Sequence, residues 1–158
     1  MSGGRILLAA VLTLAFFPTP GRAGEAPTAD LDILRDAIRA NRKALVAANL
    51  PLSDEEAAQF WPLYERYQAE LKPVQDRSVK VIADYTASFR DLPDEKAMKL
   101  ADDWLSAESD RVKVRRRYLQ EFAKVLPGRK VVRFYQIENK MDAVLRYDLA
   151  RGIPVVGE

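Results

Sequence analysis

The sequence predicts an all-α protein of four helices, and three observations carry that reading. Apolar residues recur at steps of three and four through four long segments. Capping residues, prolines and Asn or Gly breakers separate those segments. No stretch alternates as a strand does, and 7 glycines among 158 residues leave little for a turn-rich β fold. The central segment is long and carries two prolines. The expected arrangement is therefore a curved helical hairpin with a long bent central helix.

The N-terminal residues stand apart. Arg5 precedes an uncharged apolar run, Ile6 to Phe17, which Pro18 to Arg22 then breaks. Gly21-Arg22-Ala23 places small residues where a signal peptidase needs them. Residues 1–23 thus read as a cleavable export signal, whose apolar run is too short to span a bilayer comfortably. Residues 24–158 remain as one all-helical domain with no stable membrane anchor. The chain has no cysteine, so it has neither a lipid attachment point at the cut nor a disulfide. Its stability must come from packing. Arg5 and Arg22 lie before the cut and none of the 23 acidic residues does, so the processed chain carries 23 charges of each sign. The pI of 8.9 belongs to the precursor, and a nucleic-acid partner loses its electrostatic basis.

The elements follow in order. Asp30 can cap a first helix, which carries Leu31, Leu34, Ile38 and Leu45 on one face while Arg35, Arg39, Arg42 and Lys43 fall largely off it. Asn49-Leu50-Pro51 ends it. Ser53, with Glu56 three residues on, forms a capping box for the central helix. Asp54 and Glu55 suit the positive end of its dipole. A stripe from Phe60 through Tyr64, Tyr67, Leu71, Val74, Val81 and Tyr85 to Phe89 keeps its phase across Pro62 and Pro73. One bent helix is expected here, not three short ones. Pro93, Asp94 and Glu95 open a third helix. Its apolar face is read as Ala97, Leu100, Ala101, Trp104, Leu105, Val112, Leu119 and Phe122, ending near Val125. Leu126-Pro127-Gly128 breaks the chain. A fourth helix from Arg129 to about Ala150 carries Val131, Phe134, Ile137, Met141, Val144, Leu145 and Leu149. The apolar tail Ile153 to Val156 is placed either back on the helices or in a dimer contact.

Much chemistry is missing. Histidine is absent along with cysteine, which removes the Ser-His-Asp triad, thiol chemistry and nearly all zinc, copper or haem ligation. No phosphate-cradling glycine loop, nucleophile elbow or EF-hand loop is present. The carboxylate pairs Glu55/Glu56 and Asp102/Asp103 are adjacent on helices, so each pair diverges by about 100° and reads as helix-start or surface charge. No cofactor or metal is implied, and the chain reads as non-enzymatic. The runner-up enzyme class is one using carboxylates or a lysine.

Two features suggest binding. Arg111 to Tyr118 (RVKVRRRY) concentrates like charges at i,i+4 within the third helix. Arg115 shares a register with Leu105, Val112, Leu119 and Phe122. Arg111, Arg115, Arg116 and Tyr118 are therefore candidates for a positive, partly apolar surface that grips unfolded or acidic proteins. The competing reading pairs these arginines with acids of a neighbouring helix. The aromatic residues Phe60, Trp61, Tyr64, Tyr67, Phe134, Tyr135 and Tyr147 are read first as core and second as an exposed patch.

These residues bring a family into view. The export signal, the long helices and the Leu52, Ser53, Glu56 helix start resemble the Spy/CpxP-like (LTXXQ-motif) periplasmic proteins. A degenerate second copy stands at Leu126-Pro127. Ser and Glu replace the family's Thr and Gln, and the second copy lacks a hydroxyl cap. The resemblance implies a four-helix, cradle-shaped homodimer in the periplasm. It also implies an ATP-independent chaperone of unfolded or envelope proteins, or a regulator of an envelope-stress sensor. A related metal-sensing branch uses histidines and methionines, and without histidine that activity does not transfer. The alternative role is that of a non-catalytic structural or regulatory partner of an envelope or membrane protein.

Overall fold

The structure, a computed structural model, describes residues 40–156. The regular structure among them is wholly helical, so the fold is all-α. Helix α1 covers residues 40–49, α2 Asp54–Thr86, α3 Asp94–Val125 and α4 Gly128–Gly152. A 3₁₀ turn at Phe89–Asp91 links α2 to α3. The export signal expected over 1–23 and the start of the first helix, with Leu31, Leu34 and Ile38, lie outside the described residues. None of the described helices is long and apolar enough to cross a membrane.

Helix α2 starts as its capping residues dictate. The Ser53 backbone is extended, and its hydroxyl accepts from the Glu56 N–H at 3.2 Å. The Glu56 carboxylate accepts from the Ser53 N–H at 2.8 Å. Lys130 of α4 donates to the same carboxylate at 2.5 Å, so the box also ties α4 to the start of α2. The helix then runs 33 residues through Pro62 and Pro73 without a break. Both prolines, and the residues Ala58 and Ala69 whose carbonyls they leave unpaired, are exposed, so water can satisfy those groups.

Side-chain pairs fix the packing. Arg77 meets Asp110 and Tyr118 meets Glu70, so α2 and α3 run antiparallel. Arg115 meets Asn139 and Arg146 meets Glu108, so α4 is antiparallel to α3. Arg42 meets Glu138 and Arg133 meets the Asn49 carbonyl, which sets α1 antiparallel to α4. Where all four helices come together the core is aromatic. Phe60, Phe122 and Phe134 are each fully buried, with ring centroids 5.4 Å (60–122), 5.3 Å (60–134) and 4.6 Å (122–134) apart. Tyr67 adds ring contacts to Tyr118, Phe122 and Phe134. The first reading of these aromatics, as core, thus holds for all but Tyr147, which is exposed.

The third helix departs from expectation. Its single apolar face divides into two. Leu100, Ala107, Tyr118 and Phe122 point inward, whereas Leu105, Val112 and Leu119 are 65%, 55% and 40% exposed. At 3.6 residues per turn the two rows lie about 120° apart round the helix, too far for one neighbour to cover. The fully buried Val46 and the buried Leu63 belong to the core as well, though the expected stripes omit them.

Helix lengths shape the far end. At 1.5 Å per residue α2 is roughly 50 Å long and α4 roughly 37 Å. The Arg146–Glu108 pairing places the end of α4 near the level of Leu100. The tip of the α2–α3 hairpin is therefore covered by the tail instead of by a helix. Tyr85 pins that tail, donating its hydroxyl to the Pro154 carbonyl at 2.7 Å.

The capping box generates a prediction. Ser53→Ala lowers unfolding free energy by about 1 kcal/mol, measured by urea denaturation. Lys130, and behind it the Ser53 N–H, hold the Glu56 carboxyl below its ordinary value. A depressed carboxyl stabilises above its unfolded-state value of about 4.3, and that contribution is lost as pH falls through the folded-state value. Glu56→Gln therefore reduces the loss of stability between neutral pH and about pH 3 relative to the parent protein.

Candidate functional site

The arginine-rich turn of α3 does not form one open patch. Arg111 donates to Asp142 at 2.9 Å. Arg115 donates to Asn139 at 2.5 Å, has Asp142 at 3.6 Å, and lies over the Tyr135 ring at 5.5 Å. Arg117 pairs with Glu70 of α2. Tyr118 is 4% exposed, and its hydroxyl donates to the other Glu70 oxygen at 2.6 Å. The surface expected from Arg111, Arg115, Arg116 and Tyr118 is corrected accordingly. Pairing with acids of neighbouring helices accounts for two of the arginines, core packing takes the tyrosine, and Arg116 alone is exposed with no ion pair among the described residues.

These pairs belong to a larger network centred on Glu138, a side chain only 1% exposed. Arg42 grips it with two hydrogen bonds, Nε at 3.2 Å and Nη2 at 2.8 Å, and reaches Asp142 at 2.7 Å. Gln68 approaches the same carboxylate at 3.4 Å. Three guanidinium groups thus surround two carboxylates. A buried carboxylate must be paired and hydrogen-bonded, and the planar two-point fork of arginine does both. Burial opposes the Arg42 charge, but Glu138 and then Asp142 outweigh it and raise the guanidinium above its ordinary value. Burial, together with the nearby Glu138 charge, raises the Tyr64 and Tyr67 hydroxyls far above theirs. Burial pushes Tyr135 up to about 12. None of these hydroxyls ionises near neutral pH. The Tyr64 oxygen is buried and makes no hydrogen bond among the described residues. Sequence reasoning placed Arg42 off the packing face, because helical periodicity does not register a partner 96 residues away.

The second feature is a cleft of about 370 Å³ at the hairpin tip. Val81, Ile82 and Tyr85 of α2, Leu100 and Trp104 of α3, and Ile153 of the tail line it. Its lining is almost wholly apolar. It exists because α4 stops short: the inward rows of α2 and α3 continue past the last covering helix. Trp104 and Ile153 are only half-buried there, and Val155 and Val156 are 63% and 62% exposed.

No protein-family model matches the sequence, no curated protein matches it, and no solved structure matches its fold.

The network generates two contrasting predictions. Glu138→Ala leaves the largely buried Arg42 with Asp142 as its remaining partner and costs about 3 kcal/mol in urea unfolding, whereas Arg42→Met/Glu138→Leu together recover most of that loss. Arg117→Ala removes an exposed pair and changes stability by less than about 1 kcal/mol.

Proposed function

We propose that this chain is an exported, non-catalytic protein-binding factor that holds apolar segments of unfolded or envelope proteins without ATP. The observation that supports this reading best is the open apolar cleft between α2, α3 and the tail. A cleft of that size accepts one or two large apolar side chains, and its lack of polar lining gives no basis for selecting a particular small molecule. Weak, unselective apolar contact is what a client-holding protein needs. The apolar run over residues 6–17 and the small residues Gly21 and Ala23 support export to the periplasm. The Ser53–Glu56 box and the long helical hairpin support kinship with the Spy/CpxP-like proteins. The arginines contribute differently from the surface first expected. Arg111 and Arg115 hold the helices together, so apolar contact is the main grip and the remaining surface charge steers encounter.

The test is suppression of aggregation of a chemically unfolded model protein. The parent chain is expected to suppress it, and Trp104 emission to shift to the blue as client enters the cleft. Ala97 also lines the cleft, so Ala97→Arg places a charge in its wall on a helix-compatible residue and is expected to lower suppression several-fold. Val132→Glu, a comparable change at an exposed position on α4, leaves suppression intact. Circular dichroism verifies that both variants keep their helix content. A parent chain that leaves aggregation unchanged defeats the client-holding reading, and equal activity in Ala97→Arg removes the cleft as its site.

A further inference from the structure

The tail after α4 occupies part of the cleft at the hairpin tip. Pro154 has no N–H to continue a helix and pushes the residue before it into extended backbone. Ile153 accordingly stands at φ −96° and ψ 116°. Ile153 and Val156, three residues apart, both line the cleft beside Tyr85 and Trp104. Between them the Pro154 carbonyl accepts from the Tyr85 hydroxyl at 2.7 Å. A proline offers only its carbonyl for backbone hydrogen bonding, and here that group is answered. The seat is shallow, since Ile153 and Pro154 are half-buried and Val156 is exposed.

We infer, resting on the reading of the cleft as a client site, that its ligand is an extended apolar segment containing proline, and that residues 153–156 are a resident copy of that chemistry which a client must displace. Proline-type extended segments have three residues per turn, so apolar side chains three apart fall on one side, and their carbonyls carry no internal hydrogen bond. Such segments dock in grooves with aromatic walls, which Tyr85 and Trp104 supply. In a lining that is otherwise almost wholly apolar, the Tyr85 hydroxyl adds one directional bond. It favours a backbone carbonyl that no helix or sheet has already taken, and unfolded chains expose many of these. The cleft therefore selects a backbone state and apolar bulk, and no single side chain. A tethered tail competes at an effective concentration on the order of millimolar. A free segment of the same chemistry is thus held less tightly, by the fraction of time the tail leaves the cleft open.

The experiment is a fluorescence-anisotropy titration in which a dye-labelled peptide with the sequence of residues 151–158 is the ligand and the protein expressed from the full chain is the titrant. The parent is expected to bind the peptide weakly. Ile153→Ser/Val156→Ser leaves the α2 and α3 walls intact, removes the tail's apolar hold, and is expected to bind the peptide several-fold more tightly. Adding Tyr85→Phe keeps the ring, removes the hydroxyl, and is expected to weaken that binding roughly threefold to tenfold. The same peptide with alanine at the position of Pro154 is expected to bind the serine variant several-fold less tightly than the proline peptide. Circular dichroism verifies that the variants keep their helix content. Equal affinity in the parent and the serine variant overturns the tail as occupant. No binding by either, or affinities that neither Tyr85→Phe nor the alanine peptide moves, overturns the ligand class. Aggregation suppression by the parent without peptide binding defeats this inference alone. Peptide binding without suppression defeats client holding and leaves the peptide recognition standing.

Discussion

Glu138 is the side chain around which the described helices arrange themselves. It is almost fully buried, and an unpaired carboxylate in that position would cost more than a small domain has in reserve. Its neutralisation requires Arg42 of α1, which also reaches Asp142, one turn along α4. Asp142 in turn engages Arg111 and Arg115 of α3. One buried charge therefore sets the relative positions of α1, α3 and α4, while Gln68 reaches in from α2. The aromatic residues around Phe60 and Phe134 supply the larger share of apolar burial. Such contacts tolerate sliding by an ångström or so, and the two-point grip of Arg42 on Glu138 does not.

That network also explains why an arginine-rich turn is mostly a structural feature. A helix with arginines at 111, 115, 116 and 117 presents positive charge around most of its circumference, and three of these face a neighbour carrying acid or amide groups. Asp142 and Asn139 on α4 and Glu70 on α2 engage them. What remains outward is Arg116, standing among apolar side chains at the register of Val112 and Leu119. The same helix thus separates two kinds of surface. Its inward rows build the core and the cleft, and no described element covers its outward row.

Much of the architecture was legible from sequence. Ser53 and Glu56 marked the start of α2 because capping is local chemistry, complete within four residues. The helix passes through Pro62 and Pro73 as the unbroken phase from Phe60 to Val74 indicated. The core aromatics Phe60, Tyr64, Tyr67 and Phe134 followed from the same periodicity. Partner choice was not legible. Nothing local to Arg42 indicates Glu138, and a run of basic residues reads alike whether a neighbouring helix answers it or not. The face of α3 was misjudged for a related reason. Leu105 and Leu100 are equally apolar, and five residues on a helix turn through about 140°, but only the placement of α2 and α4 decides which is covered. The cleft was illegible too, because it arises from the difference in length between α4 and the hairpin.

The unequal helix lengths give the molecule a gradient of stiffness along its long axis. At one end, four helices close on interlocked rings and a buried ionic network, so an amide there is released only when the whole domain opens. At the other, two helices and the tail residues Ile153 to Val156 share half-buried contacts, with the Tyr85 hydroxyl bonded to the Pro154 carbonyl. Local opening there costs a fraction of global unfolding, and amide hydrogens of the hairpin tip exchange ahead of those near Phe60 and Phe134. The cleft end of the molecule thus opens locally at lower cost than the ring-packed end.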